Sequence, residues 1–157
     1  MRKSTPEPSD EESRVTVRVL RETDLGAILR IDKAATGHPR EEFFRVKIQR
    51  ALREPKLSTS LVAELDGSVV GFVFASLYFG EYGRPEPVAV LDAIGVEPGV
   101  RHQRVGTEMM KQLEMCLRAL RVERLETIVG WRETGLIGFL AERGFAPGPR
   151  LCLELDL

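Results

Sequence analysis

The segment that most constrains the fold is residues 88–96, nine residues in which Asp92 is the only ionisable side chain. Apolar residues occupy both faces of this segment when it is extended. That pattern is typical of a strand buried on both sides, since a strand at the edge of a sheet or with one wet face would alternate apolar and polar residues. The segment therefore predicts a sheet with this strand near its centre.

The patterns around the central strand alternate between strands and helices. Asp66-Gly67 is a strong signal for a two-residue hairpin turn between two strand-like runs, and residues 105–120 carry an apolar stripe with helical spacing. The predicted order is β-α-α-β-β-β-α-β-α-β, an α/β (α+β) chain. Its strands are expected near residues 15–20, 61–65, 69–79, 88–96, 125–129 and 151–157, and its helices near 25–36, 39–53, 105–120 and 136–142.

Composition limits the classes of function. The 157 residues carry 23 basic and 24 acidic side chains, a net charge of −1, which excludes a general electrostatic grip on nucleic acid or on an anionic membrane. Cys116 and Cys152 are too few for a disulfide framework and too isolated for a zinc site, so no metal is expected. With neither a membrane-spanning run nor a signal-peptide pattern, we expect a cytoplasmic protein, with a disordered tail at residues 1–13 and one domain at 14–157.

A basic, glycine-containing turn follows the central strand. Arg101, Arg104 and Gly106 lie where this strand leads into the helix expected at residues 105–120. The N-terminus of a helix presents unpaired N–H groups and a partial positive charge, and arginines add cationic donors, so this arrangement favours an anion-binding site. The alternative is a basic turn that is simply solvated.

Two motifs in this order resemble those of the GCN5-related N-acetyltransferase (GNAT) family. Arg101-x-x-Arg104-x-Gly106 is similar to that family's phosphate loop, Q/R-x-x-G-x-G/A, and Phe139 followed by Gly144-Phe145 is similar to its later aromatic and Gly-Phe motif. The resemblance covers residues 15–157 and implies a mixed, mostly antiparallel central sheet flanked by helices. It also implies an acetyl-CoA-dependent N-acetyltransferase.

The resemblance further implies which residues bind acetyl-CoA. Backbone N–H groups of the loop would hold the pyrophosphate, and the end of the central strand would pair with the pantetheine arm through its main chain. The residues assigned to the cofactor in this way are Ile94, Gly95, Val96, Arg101, His102, Gln103, Arg104, Val105, Gly106, Thr107 and Phe139.

The sequence departs from the family pattern at two positions. Arg104 stands in place of the loop's first glycine, and we expect its guanidinium to bind a phosphate oxygen. Leu140 stands where many members carry a tyrosine that protonates the leaving thiolate; Tyr78 or Tyr82 are candidates to replace it. The missing tyrosine motivates the alternative function, a catalytically inactive acyl-CoA-binding regulatory module.

Asp92 is the first candidate for the general base. On simple strand alternation it shares a face with Val90, Ile94 and Val96, and a carboxylate among apolar residues is costly unless it is hydrogen-bonded or used chemically. The alternative is a structural carboxylate satisfied by a neighbouring strand or by Arg84.

The loop at residues 80–87 supplies two further catalytic candidates, Glu81 and Tyr82. The acceptor is expected to be a primary amine on a small molecule or a protein, and its identity stays open. A homodimer joined through the sheet or through residues 151–157 also stays open. Trp131, after the fifth strand, is expected in the core rather than at the acceptor site.

Overall fold

The computed structural model describes residues 14–56, 58–80 and 83–157. The predicted tail at residues 1–13 and the catalytic candidates Glu81 and Tyr82 lie outside the described residues. The chain divides into two compact units, one reaching to Thr127 and one formed by Ile128–Leu157, and each is described by itself below.

The first unit is built on a sheet in the strand order β1-β2-β3-β4-β5, with three antiparallel pairings followed by a parallel one between β4 and β5. The predicted mixed, mostly antiparallel sheet with helices is therefore confirmed. Of the helices in the described residues, none is long and apolar enough to cross a lipid bilayer. The elements are β1 (Val15–Val19), α1 (Leu25–Thr36), α2 (Glu41–Arg53), β2 (Ser58–Leu65), β3 (Ser68–Tyr78), β4 (Val88–Val96), α3 (Val105–Ala119), β5 (Arg124–Glu126) and, in the second unit, α4 (Thr134–Glu142).

The predicted hairpin joins β2 and β3. Asp66 and Gly67 both have positive φ, 51° and 79°, as a type I′ turn requires. Leu65 pairs with Ser68 directly across this turn, and the pairing continues to Ser58 opposite Ser76. The turn sets the register of the first pairs, and the register then shifts by one residue between Glu64 and Ala63, where Glu64 pairs with Val69 and Ala63 with Gly71.

Helices cover both faces of the sheet. On one face, α1 and α2 bury Ile31 and Phe44 against Phe72 and Phe74 of β3. On the other face, α3 packs so closely on β3 that a Cβ added at Gly71 would lie 2.9 Å from the terminal methyl of Met109. The strand at the centre of the sheet, β3, is therefore covered on both faces. The segment predicted to be central, residues 88–96, forms the neighbouring strand β4, and its second half is only partly buried.

The second unit contains α4 and the segment that follows it. Gly144, with φ of +89°, ends the helix, and the amide of Phe145 donates to the carbonyl of Leu140 at 3.0 Å. Residues 151–157 have no regular structure, so the predicted last strand is not formed; a strand needs a backbone partner, and the sheet in the described residues provides none for this segment. Trp131 is 80% exposed, so its expected core position is wrong.

Candidate active site

The second half of β4 has one open edge. Its other edge pairs with β3 as far as Val96, which lies opposite Gly71. On the edge that faces β5, strand pairing covers only residues 88–90. One residue further along β4, the Thr127 hydroxyl donates to the carbonyl of Leu91 at 2.9 Å. Among the described residues no strand pairs with Ile94, Gly95 or Val96 on the β5 side. The carbonyl of Val96 accepts from Nε of Arg101 at 3.4 Å, and the other main-chain groups on that edge can pair with a ligand.

Glycine at position 95 is required by packing as well. A Cβ added there would lie 2.6 Å from Cε1 and Cζ of Phe72, the ring directly opposite on β3. Glycine at position 95 therefore leaves the space that the Phe72 ring occupies.

A short 3₁₀ turn, Pro98–Gln103, connects the open strand to α3. The amide of Glu97 donates to the carbonyl of Val70 at 2.8 Å, which fixes the start of the turn on β3. At the end of the turn, Arg104 adopts the left-handed conformation with φ of 62° and ψ of 17°, and α3 begins at the next residue. This left-handed residue is what turns the chain from the sheet into the helix.

The first turn of α3 has the properties of an anion site. Its amides at Val105, Gly106 and Thr107 have no intrahelical acceptor, and Arg104 gives no side-chain cap. The side chains of residues 101–104 are exposed. Nε of Arg101 donates to the carbonyl of Val96 at 3.4 Å, which holds this guanidinium beside the end of β4, and the guanidinium of Arg104 is exposed on the same turn. Val105 is fully buried, so only its amide is available.

Carboxylates border this loop on both sides. Glu97 ends the strand, and its Oε1 lies 3.5 Å from Nε of Arg30 on α1. The same guanidinium donates to the carbonyl of Val69 at 3.0 Å. Arg30 thus offsets the negative charge on the strand side of the proposed anion site. On the helix side, Glu108 in the first turn of α3 is paired with Nζ of Lys111 at 3.1 Å.

Asp92 occupies a β-bulge. Phe74 pairs with Ala93 and the next residue, Ala75, pairs with Leu91, so Asp92 is the extra residue on β4. Beyond the bulge, Ile94 and Val96 lie opposite Val73 and Gly71, on the face that α3 covers. The prediction that Asp92 shares a face with Ile94 and Val96 is therefore wrong, because the bulge shifts the alternation of the strand by one residue.

The side chain of Asp92 is held by two partners on the opposite face of the sheet. Ser76 of β3 donates its hydroxyl to Oδ2 at 2.5 Å, and Nζ of Lys47 on α2 lies 3.0 Å from Oδ1. The Asp92 side chain is 12% exposed and that of Lys47 is 18% exposed. Each carboxylate oxygen keeps one further lone pair for a water or an amine.

Sequence reasoning missed Lys47 and Ser76. A signal for each is present, since Lys47 interrupts the apolar stripe of α2 between Phe44 and Ile48, and Ser76 is the only hydroxyl among the buried residues of β3. A polar residue at a core position is informative in itself. The sequence gives no signal that Lys47 and Ser76 contact Asp92.

The remaining predicted site residues fall into two groups. Phe139 and Leu140 lie on α4 in the second unit, where Phe139 is half-buried and Leu140 is buried. Tyr78, a candidate replacement for the missing tyrosine, ends β3 with its ring 5.8 Å from the guanidinium carbon of Arg50. Tyr78 thus lies at the end of β3, two residues beyond Ser76.

Comparison with protein families identifies one family for this chain. The model of the "Acetyltransferase (GNAT) family" matches residues 25–145. No curated protein sequence is similar enough to this chain to count as a match.

Solved structures share the fold at low sequence identity. An aminoglycoside 6′-N-acetyltransferase, AAC(6′)-IG from Acinetobacter haemolyticus, has a TM-score of 0.76 at 19% identity over 90% of this chain and 98% of its own. AAC(6′)-Iy, solved with the bisubstrate analogue CoA-S-monomethyl-acetylneamine, has a TM-score of 0.74 at 19% identity over 91% and 98%. A structure described as a transcriptional regulator from Bacillus halodurans C-125 has a TM-score of 0.72 at 16% identity over 91% and 99%.

Proposed function

The chain belongs to the GNAT acetyltransferase family, and on that premise we propose that it transfers the acetyl group of acetyl-CoA directly to a primary amine, with Asp92 as the base. The observation that carries the proposal is the continuous ligand surface formed by the open edge of β4 and the bare amides at the start of α3. The exposed guanidiniums of Arg101 and Arg104 stand at the end of that surface.

These residues fit the two halves of coenzyme A. The loop offers N–H groups and cations to a diphosphate, and the open edge at residues 94–96 offers main-chain donors and acceptors to the amides of the pantetheine arm. Bound there, acetyl-CoA supplies an acetyl thioester. His102 and Gln103 are exposed on the same turn and complete the proposed set of loop contacts.

The acceptor amine needs a base. An amine with the pKa of a lysine side chain has only about 4 in 10,000 molecules neutral at pH 7, so its proton must be removed before or during attack. We assign this role to Asp92, directly or through one water, because the bulge turns its carboxylate toward α2 and leaves each oxygen a lone pair. Lys47 and Ser76 orient that carboxylate.

The balance of the proposed reaction is simple. The protonated amine first gives one proton to Asp92, directly or through water. The neutral nitrogen then forms a bond to the acetyl carbon, the C–S bond breaks, the sulfur leaves as thiolate, and the second nitrogen proton passes to water or to the departing sulfur. A thiol with a pKa near ~8.5 is a tolerable leaving group at neutral pH, so the reaction proceeds without a tyrosine at position 140. Tyr78 and Tyr82 remain the candidates for protonating it.

A small-molecule amine is the first acceptor to assay. Among proteins of the same fold, AAC(6′)-IG and AAC(6′)-Ih are aminoglycoside 6′-N-acetyltransferases by name, and AAC(6′)-Iy was solved with a bisubstrate analogue that joins coenzyme A to an acetylneamine. An aminoglycoside carries several primary amines and binds well to carboxylates. Protein amines form the second part of the acceptor panel.

The test combines binding with turnover. Calorimetry with acetyl-CoA measures the affinity, and release of free thiol with the amine panel measures the rate. We expect Asp92→Asn to lower kcat by about 10²-fold or more while Kd for acetyl-CoA stays within about twofold. Asp66→Asn, which alters an exposed carboxylate paired with Arg14, is the matched control and keeps the wild-type rate.

Two outcomes would contradict the proposal. If Asp92→Asn lowers the melting temperature and leaves kcat unchanged, Asp92 is a structural carboxylate. Tight binding of acetyl-CoA with no thiol released by any amine favours the non-catalytic acyl-CoA-binding module, the reading motivated by the apolar, buried Leu140. If acetyl-CoA neither binds nor reacts, the assignment of the loop as the diphosphate-binding site is wrong.

A further inference from the structure

Helix α2 presents a cationic face next to Asp92. Phe43, Lys47 and Arg50 have the i, i+4 and i+7 spacing that places side chains on one side of a helix. Nζ of Lys47 lies 3.0 Å from Oδ1 of Asp92, and Arg50 follows one helical turn later. This face therefore brings two cations toward a strand, β4, whose only charged side chain is Asp92.

The contacts of α2 with β3 place Arg50 beside the Lys47–Asp92 pair. Ser76 and Tyr78 lie on the same face of β3, since they are two residues apart. Lys47 and the Ser76 hydroxyl bind the same carboxylate, and the guanidinium carbon of Arg50 lies 5.8 Å from the centre of the Tyr78 ring. The Cβ atoms of residues one turn apart on a helix are roughly 5–6 Å apart, so Arg50 is within reach of a small molecule bound at Asp92.

The guanidinium of Arg50 has donors to offer a ligand. In the part of the chain that the structure describes, its carboxylate partner is Glu54, whose Oε2 lies 3.8 Å from Nε, beyond hydrogen-bond distance. Both side chains are partly exposed, and such a pair between residues four apart on a helix is weak. A planar guanidinium binds a carboxylate through two parallel hydrogen bonds. A ligand carboxylate can therefore replace Glu54 as the partner of Arg50.

We propose that the acceptor is a small-molecule amine that also carries a carboxylate, and that Arg50 binds this carboxylate while Asp92 receives the proton of the amine. The inference rests on the proposed acetyl transfer and names the substrate class of that site. The charge of Asp92 is already offset by Lys47. The charge that this face of α2 adds beyond that pair is positive, so the site favours an acceptor with an anionic group of its own.

The same charges disfavour a polycation. An aminoglycoside carries several ammonium groups, and those that are not being acetylated would lie near Lys47 and Arg50, where like charges repel. An amino acid has one ammonium group for Asp92 and one carboxylate for Arg50. Its two charges therefore match the order of the charges along α2 and β4.

The experiment compares acceptors that differ in one charge. Release of free thiol from acetyl-CoA is measured with straight-chain amino acids of increasing length, beginning with glycine, and with the amide of each. The amide keeps the amine and removes the negative charge. We expect kcat/KM for the best amino acid to exceed that for its amide by about tenfold or more, mainly through KM, because a charge-assisted hydrogen bond is lost. Neamine, a polycationic aminoglycoside, should react no better than the amides.

Arg50→Gln tests the residue. The variant should raise KM for the best amino acid about tenfold, and should leave KM for its amide and Kd for acetyl-CoA within about twofold of the wild type. Arg50→Lys should recover part of the loss. Arg53→Gln, which removes an exposed cation from the last turn of the same helix, is the matched control and should keep the wild-type preference. Thermal unfolding shows whether each variant is folded, and the comparison of acceptors in the wild type needs no variant.

Three results with an active enzyme overturn the inference and leave the proposed function standing. These are amides that react as well as the amino acids, neamine as the best acceptor, or an unchanged KM for the amino acid in a folded Arg50→Gln variant. If no amine releases thiol, the proposed function fails, and this inference fails with it.

Discussion

Replacing Arg104 by glycine is expected to move stability and cofactor affinity in opposite directions. Arg104 holds a left-handed conformation, φ 62° and ψ 17°, between the 3₁₀ turn and α3. Its side chain is exposed and caps no amide of the helix. The substitution therefore removes strain and a cation and leaves the core untouched.

The magnitudes follow from these contacts. A left-handed conformation costs a residue with a Cβ roughly 1–2 kcal/mol, whereas glycine adds roughly 0.5–1 kcal/mol of unfolded-state entropy. The net change is a gain of about 0.5 kcal/mol, or about 1–2 °C in melting temperature. Loss of one charge-assisted hydrogen bond to a phosphate costs about 1.5 kcal/mol, which weakens Kd for acetyl-CoA about tenfold.

Thermal unfolding and calorimetry with acetyl-CoA measure the two effects separately. Arg104→Ala keeps the strain and loses the charge, so it should match the glycine variant in affinity and the wild type in stability. Arg104→Lys should recover part of the affinity. Wild-type affinity in the glycine variant would refute phosphate binding by Arg104, and a lower melting temperature would refute the reasoning about strain.

Two further predictions concern the scaffold. Gly95→Ala places a Cβ 2.6 Å from the Phe72 ring and should lower the free energy of unfolding by about 1–3 kcal/mol. Gly99→Ala is the control: an added Cβ there meets nothing within 4 Å, and the free energy of unfolding should change by less than about 0.5 kcal/mol. Equal losses for the two variants in urea unfolding would contradict the packing argument. Burial raises the pKa of Asp24, but hydrogen bonds, first among them those from Arg18, outweigh it and leave the pKa below its ordinary value. The stability this carboxylate contributes is therefore complete above its unfolded pKa of 3.8 and is lost as pH falls through the lower folded value. Urea unfolding at a series of acidic pH values should show a steeper loss for the wild type than for Asp24→Asn, and parallel curves would exclude the contribution.

The elements that the sequence predicts well are those with local signals. Asp66-Gly67 supplies both positive φ angles of a tight turn, and the stripe on α3 is buried from Val105 to Leu117, as its spacing indicates. The basic turn and the helix after it are also where the sequence places them. In each case the residues that carry the signal lie within one element or at its end.

What the sequence did not predict depends on partners far along the chain. The bulge at Asp92 arises from the pairing of β4 with β3, and the contacts of its carboxylate come from Lys47 and Ser76, 45 and 16 residues away. The last strand failed for the same reason, since residues 151–157 have the right alternation and no neighbour in the sheet. The alternation of residues along a strand is a property of one segment. A bulge or a missing partner strand depends on two segments that are far apart in the sequence.

The divergence of β4 from β5 has a consequence for how this enzyme can change over time. In the proposed function, coenzyme A is recognised by peptide groups that every amino acid provides, and the size limit at Gly95 comes from the Phe72 ring behind it rather than from the cofactor. Substitutions on the side of the sheet where α2 holds Asp92 can then alter which amine is acetylated while the binding of the acetyl donor stays intact. Mutations can therefore change which amine is accepted without changing the affinity for acetyl-CoA.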